Sequence, residues 1–195
     1  MVVNPKKYQN IAAFTVVTAI ELLFKATVLV GNKISKSSLS KYFSNQYDDT
    51  CVDGDQISKT VYELKRSGYI AFEGDSVKLT NKAKMKIVDQ IAAQSGDSKK
   101  YHLVSFDIPE TKRMGRNNFR RAIKRMGFVQ IQKSLWASTR DIGDLVESAA
   151  KEYKVSDYVA YFVSETSNID KFISKTIKKP TSNTKKSNSN DSKSS

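Results

Sequence analysis

Residues 63–83 read ELKRSGYIAFEGDSVKLTNKA, and this pattern decides the architecture of the first half of the chain. A helix ending in Lys65 and Arg66 meets Gly68, the residue type that accepts the left-handed conformation past a helix C-terminus. YIAFE and SVKLT then alternate as two strands do, with Gly74-Asp75 as the hairpin turn between them. Upstream, Ile57, Val61 and Leu64 recur at spacings of four and three, so a helix from about Gly54 to Ser67 faces a core with one stripe. Its opposite face carries Gln56, Lys59, Tyr62, Glu63 and Arg66. Further back, SKSSLSKYFSNQ (35–46) supplies a short helix with Leu39, Tyr42 and Phe43 on its apolar side, followed by a turn holding Asp48, Asp49 and Asp53. Residues 8–30 are apolar almost all round and stop at Gly31, which marks a helix buried or used in an interface. Three helices and a tight hairpin make a winged helix-turn-helix, expected over residues 1–94. Within it, NKAKMKIVDQIAAQ (81–94) reads as one helix leading into the second half.

Apolar periodicity stops at AQSGDSKK (93–100), which places a linker at 95–100. YHLVSFD (101–107) alternates as a strand covered on both faces, and residues 111–126 follow as a helix. FVQIQKSLWAS (128–138) gives one or two strands, DIGDLVESAAKEY (141–153) a helix, and DYVAYFV (157–163) a further strand. The order is βαββαβ, a ferredoxin-like domain over 101–177 with two helices on one face, so the chain as a whole is α+β. NIDKFISKTI (168–177) reads as a short helix, which leaves the last sheet edge to be completed by a partner chain. Residues 178–195, KKPTSNTKKSNSNDSKSS, contain no aromatic residue and only Pro180 outside the polar and charged set. Such a segment buries too little surface to offset chain entropy and is expected to be a disordered basic tail.

The 195 residues include 33 Lys plus Arg against 20 Asp plus Glu, a net charge of +13. The excess is spread as +4, +5 and +4 over residues 1–96, 97–177 and 178–195, which favours a polyanionic partner. Cys51 and His102 are the sole residues of their kinds, so one copy of the chain cannot form a disulfide, a zinc finger, a Cys-His nucleophile pair or a multi-histidine centre. Lys6 and Lys7 before Ile11–Ile20 imitate a secretion signal loosely, but no cleavage site follows, and Glu21 and Lys25 interrupt the run. A cytoplasmic protein without membrane attachment is expected.

In a winged helix the third helix fits the major groove of double-stranded DNA, and its outward residues reach base edges. That places Gln56, Ser58, Lys59, Thr60 and Tyr62 near bases and Ser38, Lys41, Arg66 and Lys78 near the backbone. On the helix at 111–126, Met114, Phe119, Ala122, Ile123 and Met126 cluster toward a core, while Lys112, Arg113, Arg116, Arg120, Arg121 and Lys124 spread over the other side. This is either a solvated face or a second phosphate-contact strip. Asp107 is expected to cap the turn through Pro109 by accepting backbone N–H bonds. His102 is a strand residue satisfied by packing or one hydrogen bond, and Trp136 belongs to a core or a dimer interface.

The stretch 63–83 resembles the recognition helix and wing of many bacterial and archaeal transcription regulators. FDIPETKR (106–113), the basic helix, GFVQIQKSLWAS (127–138) and DYVAYF (157–162) resemble the middle domain of the phenylacetic-acid repressor (PaaX) family, whose members place it directly after a winged helix. The resemblance spans about residues 8–165. It implies a homodimeric repressor on a roughly palindromic operator, with no cofactor. The long C-terminal domain of that family has no counterpart in the sequence, so its effector is not carried over and any small-molecule effector is unknown. The same segment is similar to the smaller CRISPR adaptation protein, a ferredoxin-like dimer that in some members cuts nucleic acid with a metal. That similarity implies an alternative, a nuclease in which Asp107 pairs across a dimer around magnesium or manganese. A third reading is a nucleic-acid adaptor that binds without sequence choice.

Overall fold

The computed structural model describes residues 16–30, 34–35, 37–39, 41–42, 54–166 and 170–178. The start of the first expected helix, the turn with Asp48, Asp49, Cys51 and Asp53, and the basic tail from residue 179 lie outside the described residues.

The first half is built on α1 (Val16–Val30), whose Ala19, Ile20, Leu22, Leu23 and Ala26 are all buried. A two-residue strand, β1 (Ile34–Ser35), follows, and Ser35 Oγ accepts the Ser38 backbone N–H at 3.0 Å where the chain turns helical again. The next helix, α2 (Gly54–Arg66), ends in the left-handed turn expected of Gly68, whose φ is 71°. The Tyr69 N–H bonds Leu64 O and the Gly68 N–H bonds Lys65 O, both at 2.9 Å, so two of the helix's last carbonyls are satisfied. β2 (Ile70–Glu73) and β3 (Ser76–Leu79) form the hairpin, with Gly74 at φ 59°. β1 pairs with β3, so the antiparallel sheet has three strands in the order β1-β3-β2. Ile20, Leu23, Leu39, Leu64, Ile70 and Val77 are among the residues buried between this sheet and its helices.

The single helix expected over 81–94 is two, α3 (Asn81–Lys86) and α4 (Val88–Gln94), with a break at Ile87. Ala83 and Ile87 enter the first core, whereas Met85, Val88 and Ala92 enter the second, and Ile91 packs against both. The two halves therefore share a wall.

β4 (Asp97–Phe106) starts inside the segment expected as a linker, because residues 97–100 continue the extended backbone of the strand. A 3-10 turn over Glu110–Lys112 leads into α5 (Arg113–Arg125). Then come β5 (Val129–Gln130), β6 (Leu135–Arg140), α6 (Gly143–Glu152), β7 (Val159–Ser164) and α7 (Asp170–Lys178). The sheet order β5-β6-β4-β7, with every neighbour antiparallel, is that of a ferredoxin-like domain. β7 pairs with β4 from Tyr101↔Ser164 to Phe106↔Val159, so the fourth strand comes from the same chain and no partner is needed to supply it.

Val104, Phe106 and Trp136 lie in one core with Phe119, Ile123 and Met126 of the α5 segment and Leu145, Val146 and Ala149 of α6. Leu103 and Ala137 form a separate small cluster with Ile173 of α7, and Tyr101 Oη lies 2.9 Å from Ser174 Oγ. Met114, expected among the core-facing residues of the basic helix, is 78% exposed, because it lies in the first turn of α5 and the core contacts begin further along at Phe119.

Candidate nucleic-acid interface

α2 turns Leu64 inward and leaves Ser58, Lys59, Tyr62, Lys65 and Arg66 outward, with Tyr62 63% exposed. Thr60 is half-buried. Gln56 lies within α2, and its side chain is outside the described residues. Lys59 has no ion-pair partner among the described residues, so its charge faces solvent uncompensated. Arg66 differs: Glu63 Oε2 receives its Nη2 at 2.7 Å and its Nε at 3.1 Å. Lys78, on the hairpin strand β3, is likewise paired, 2.5 Å from Glu73 Oε2. Two of the three cations expected at the DNA backbone, Arg66 and Lys78, are thus balanced by a neighbouring carboxylate, the first by helical i,i+3 spacing and the second across the hairpin. Ser38 is exposed and takes a hydrogen bond from Ser35 Oγ at 2.7 Å, and Lys41 is exposed on the same short helical segment.

Two cations that the sequence reading left out belong to this surface. Lys65 Nζ stands 5.1 Å from the centre of the Phe72 ring, and Lys82 Nζ stands 5.1 Å from that of Tyr69 while donating to Ser67 O at 2.9 Å. Each ammonium group stands over an aromatic ring, a disposition that helical spacing alone does not reveal.

The second strip divides in the same way. Arg116 donates to Glu110 Oε2 at 2.7 Å and to Ile108 O at 3.3 Å, while Arg113 Nε lies 3.6 Å from the other Glu110 oxygen. Lys112 stacks on the Tyr158 ring at 4.8 Å and donates to Lys154 O at 3.1 Å. Arg120, Arg121 and Lys124 remain exposed, without ion pairs among the described residues. Beside them opens a cleft of about 700 Å³ between the end of β4, the start of α5 and the β5–β6 connection, lined by Asp107, Glu110, Arg116, Arg120, Lys133 and Ser134 among others.

Asp107 does not cap the turn. Its backbone N–H donates to Tyr158 O at 3.1 Å, and the 3-10 turn after Pro109 has no side-chain cap; the carboxylate is exposed on the cleft wall. The strand runs out at Phe106 and the cap position of the turn is Pro109, which leaves Asp107 two residues too early to serve as its cap. Among the described residues no three His, Cys, Asp or Glu side chains gather as cation ligands, and Glu110 is already committed to two arginines. A magnesium or manganese ion calls for several oxygen ligands, and the described side chains around Asp107 do not gather that many.

His102 lies in the middle of the sheet, 2% exposed, with Nδ1 2.6 Å from Tyr161 Oη. Burial raises the Tyr161 phenol above its ordinary value, and the nearby carboxylates of Asp141 and Asp144 add to the shift. Trp136 is buried in the core beneath the helices.

A family model described as PaaX protein central Cas2-like domain matches residues 95–175. Over these residues the chain is similar to the PaaX central domain. The match begins at the edge of β4, includes the basic helix and the cleft, and ends within α7, so the PaaX-type domain is the four-stranded unit with its helices on both faces. No curated protein and no solved structure matches the chain. Among the described residues no helix is long and apolar enough to cross a membrane.

Proposed function

We propose that this PaaX-like protein is a sequence-specific regulator that binds double-stranded DNA as a homodimer and represses by occluding a promoter. The observation that carries the reading is the outward face of α2, with Ser58, Lys59 and Tyr62 exposed, held on a three-stranded sheet directly before a PaaX-type central domain. A helix of this length fits the major groove, its polar residues meet base edges, and Lys41, Lys65 and Lys82 hold phosphates on either side. The +13 net charge raises the encounter rate with any duplex, while the α2 face supplies the sequence choice. Arg120, Arg121 and Lys124 form a second strip for phosphates.

The dimer forms through β7, the sheet edge, where Phe162 and Val163 are 43% and 47% exposed beside an unpaired strand backbone. A second copy pairing there antiparallel would cover both and give the two-fold axis that a palindromic operator mirrors.

The test is selection of duplexes from a random pool by the purified protein at about 150 mM salt with magnesium present, with the recovered ends sequenced, since salt suppresses sequence-blind binding. An enriched, intact inverted repeat is the expected result. Binding without enrichment would make the protein an adaptor, and cut ends that disappear in Asp107→Asn would make it a nuclease assembled from two copies.

A further inference from the structure

We infer that Arg125 is a positioning residue that locks the angle between the α2 reading head and the four-stranded domain, and thereby sets the half-site spacing the protein accepts. This inference rests on the DNA-binding reading above. Arg125 is the last residue of α5, and its guanidinium sits at the break between α3 and α4. Nη1 donates to Met85 O at 3.0 Å and Nη2 to Lys86 O at 3.3 Å; these are carbonyls of the last turn of α3, the kind a helix end leaves without intrahelical donors. Nε reaches the two oxygens of Asp89, in the first turn of α4, at 3.2 and 3.0 Å, and Nη2 closes on the same carboxylate. One planar group thus grips the end of one helix, the start of the next, and, through its own backbone, the four-stranded domain. A lysine, with a single point charge, cannot span three such acceptors in fixed directions.

The surroundings give this grip its leverage. Val88 and Ala92 of α4 are buried in the second core, and Arg140 Nη1 donates to Ala92 O at 3.2 Å. Lys84 Nζ meets Ser148 Oγ at 3.4 Å, which ties α3 to α6. On the other side, Ala83 and Ile87 are buried in the first core, and Gln90 Nε2 donates to Glu21 of α1. The bend at Ile87 therefore relates one core to the other. In a dimer that bend fixes the distance and phase between two α2 helices, and a turn of about 10 base pairs makes each added pair rotate a half-site by roughly 35°. A locked bend tolerates little of that rotation, and a loosened one tolerates more.

Three variants test the lock: Arg125→Lys, which keeps the charge and loses the fork, Arg125→Gln, and Lys151→Gln, an exposed residue of α6, as a control for charge loss on the same domain. Each is measured on an isolated half-site, on the selected operator, and on operators with one, two or five base pairs inserted. In parallel, pulsed electron resonance reads the distance between spin labels at Ala71→Cys and Lys99→Cys in a Cys51→Ser background. For both Arg125 variants, half-site affinity is expected to stay within about threefold of the parent while the preference for native spacing falls by about tenfold, a coupling of ordinary size. The label distance should broaden, and Lys151→Gln should change neither readout. Unchanged spacing preference with a narrow distance distribution overturns the inference, as does an equal loss on half-site and full operator, which would make Arg125 a DNA contact. If the parent protein selects no duplex sequence, the regulator reading has failed, and the label distances alone decide whether Arg125 locks the bend. If Arg125→Gln does not fold, Arg125→Lys carries the comparison.

Discussion

Tyr161 Oη lies 2.6 Å from His102 Nδ1, joining the sheet-edge strand β7 to the centre of β4. The ring is fixed from a second side by Gly143, where an added Cβ would stand 2.7 Å from Tyr161 Cε1. His102 Nε2 is buried without a hydrogen-bond partner, so the phenol supplies the ring's one protein hydrogen bond. Tyr161→Phe leaves Nδ1 with only the Asp141 carboxylate 3.8 Å away and should cost about 1–3 kcal/mol in urea unfolding. Removing both partners together, in His102→Leu with Tyr161→Phe, should cost less than the two single changes added. Strict additivity would show that the bond contributes nothing to stability.

The same phenol predicts a loss of stability in alkali. Burial, then Asp141 and Asp144, raise its folded-state value above that of the unfolded chain, so the folded protein holds the proton longer as pH rises. A raised folded value gives stability that is whole below the unfolded phenol value, about 10, and is lost as pH climbs through the folded one. Tyr153 shifts the same way, mainly by burial. Urea midpoints from about pH 8 to about pH 11 should fall more steeply for the parent than for Tyr161→Phe with Tyr153→Phe. Equal slopes would assign the alkaline transition to other groups.

Much of this architecture was legible in residues 63–83, because helix stripe, Gly68, alternation and Gly74-Asp75 each carry an independent local cause. β1 was not, since two residues form a strand only through pairing with β3, which no local pattern announces. The break at Ile87 was hidden for a similar reason: KMKIVDQ is good helix sequence, and the donors at the break come from Arg125, far along the chain. The candidate interface was legible as a set of residue types, but not in its pairing. Glu63 and Glu73 were visible as charges, yet only the folded helix and hairpin show that they engage Arg66 and Lys78 respectively and leave Lys59 open. Asp107 was misjudged because capping needs a turn to begin within reach of the carboxylate, and β4 holds its extended course to Phe106.

Gly115 lies in the first turns of α5, where alanine would ordinarily improve helix stability by about 1 kcal/mol. The position instead packs against the turn after α6, and an added Cβ would meet Tyr153 O at 2.6 Å and Val155 Cγ1 at 3.1 Å. The nearer obstacle is backbone, which cannot rotate aside. Gly115→Ala should therefore destabilise by about 1–3 kcal/mol despite its better propensity. A rise in thermal midpoint would mean that α5 shifts freely on α6.

The pairing of charges at the interface yields the sharpest test of the DNA-binding reading. Lys59 has no ion-pair partner among the described residues, whereas Arg66 is held by Glu63 and Lys78 by Glu73. If α2 docks on a duplex, each phosphate contact contributes about 0.9 to the slope of log affinity against log salt. Lys59→Ala should then lower that slope by about one, and Arg66→Ala by less, since part of its charge is already answered. The converse change separates a DNA contact from a structural ion pair. Glu63→Gln frees Arg66 and removes a negative charge from the docking face, so operator affinity should rise and the salt slope steepen. A merely structural pair would leave binding unchanged and lose a little stability instead. If Lys59→Ala and Glu63→Gln both leave the slope where it was, the duplex does not lie on α2.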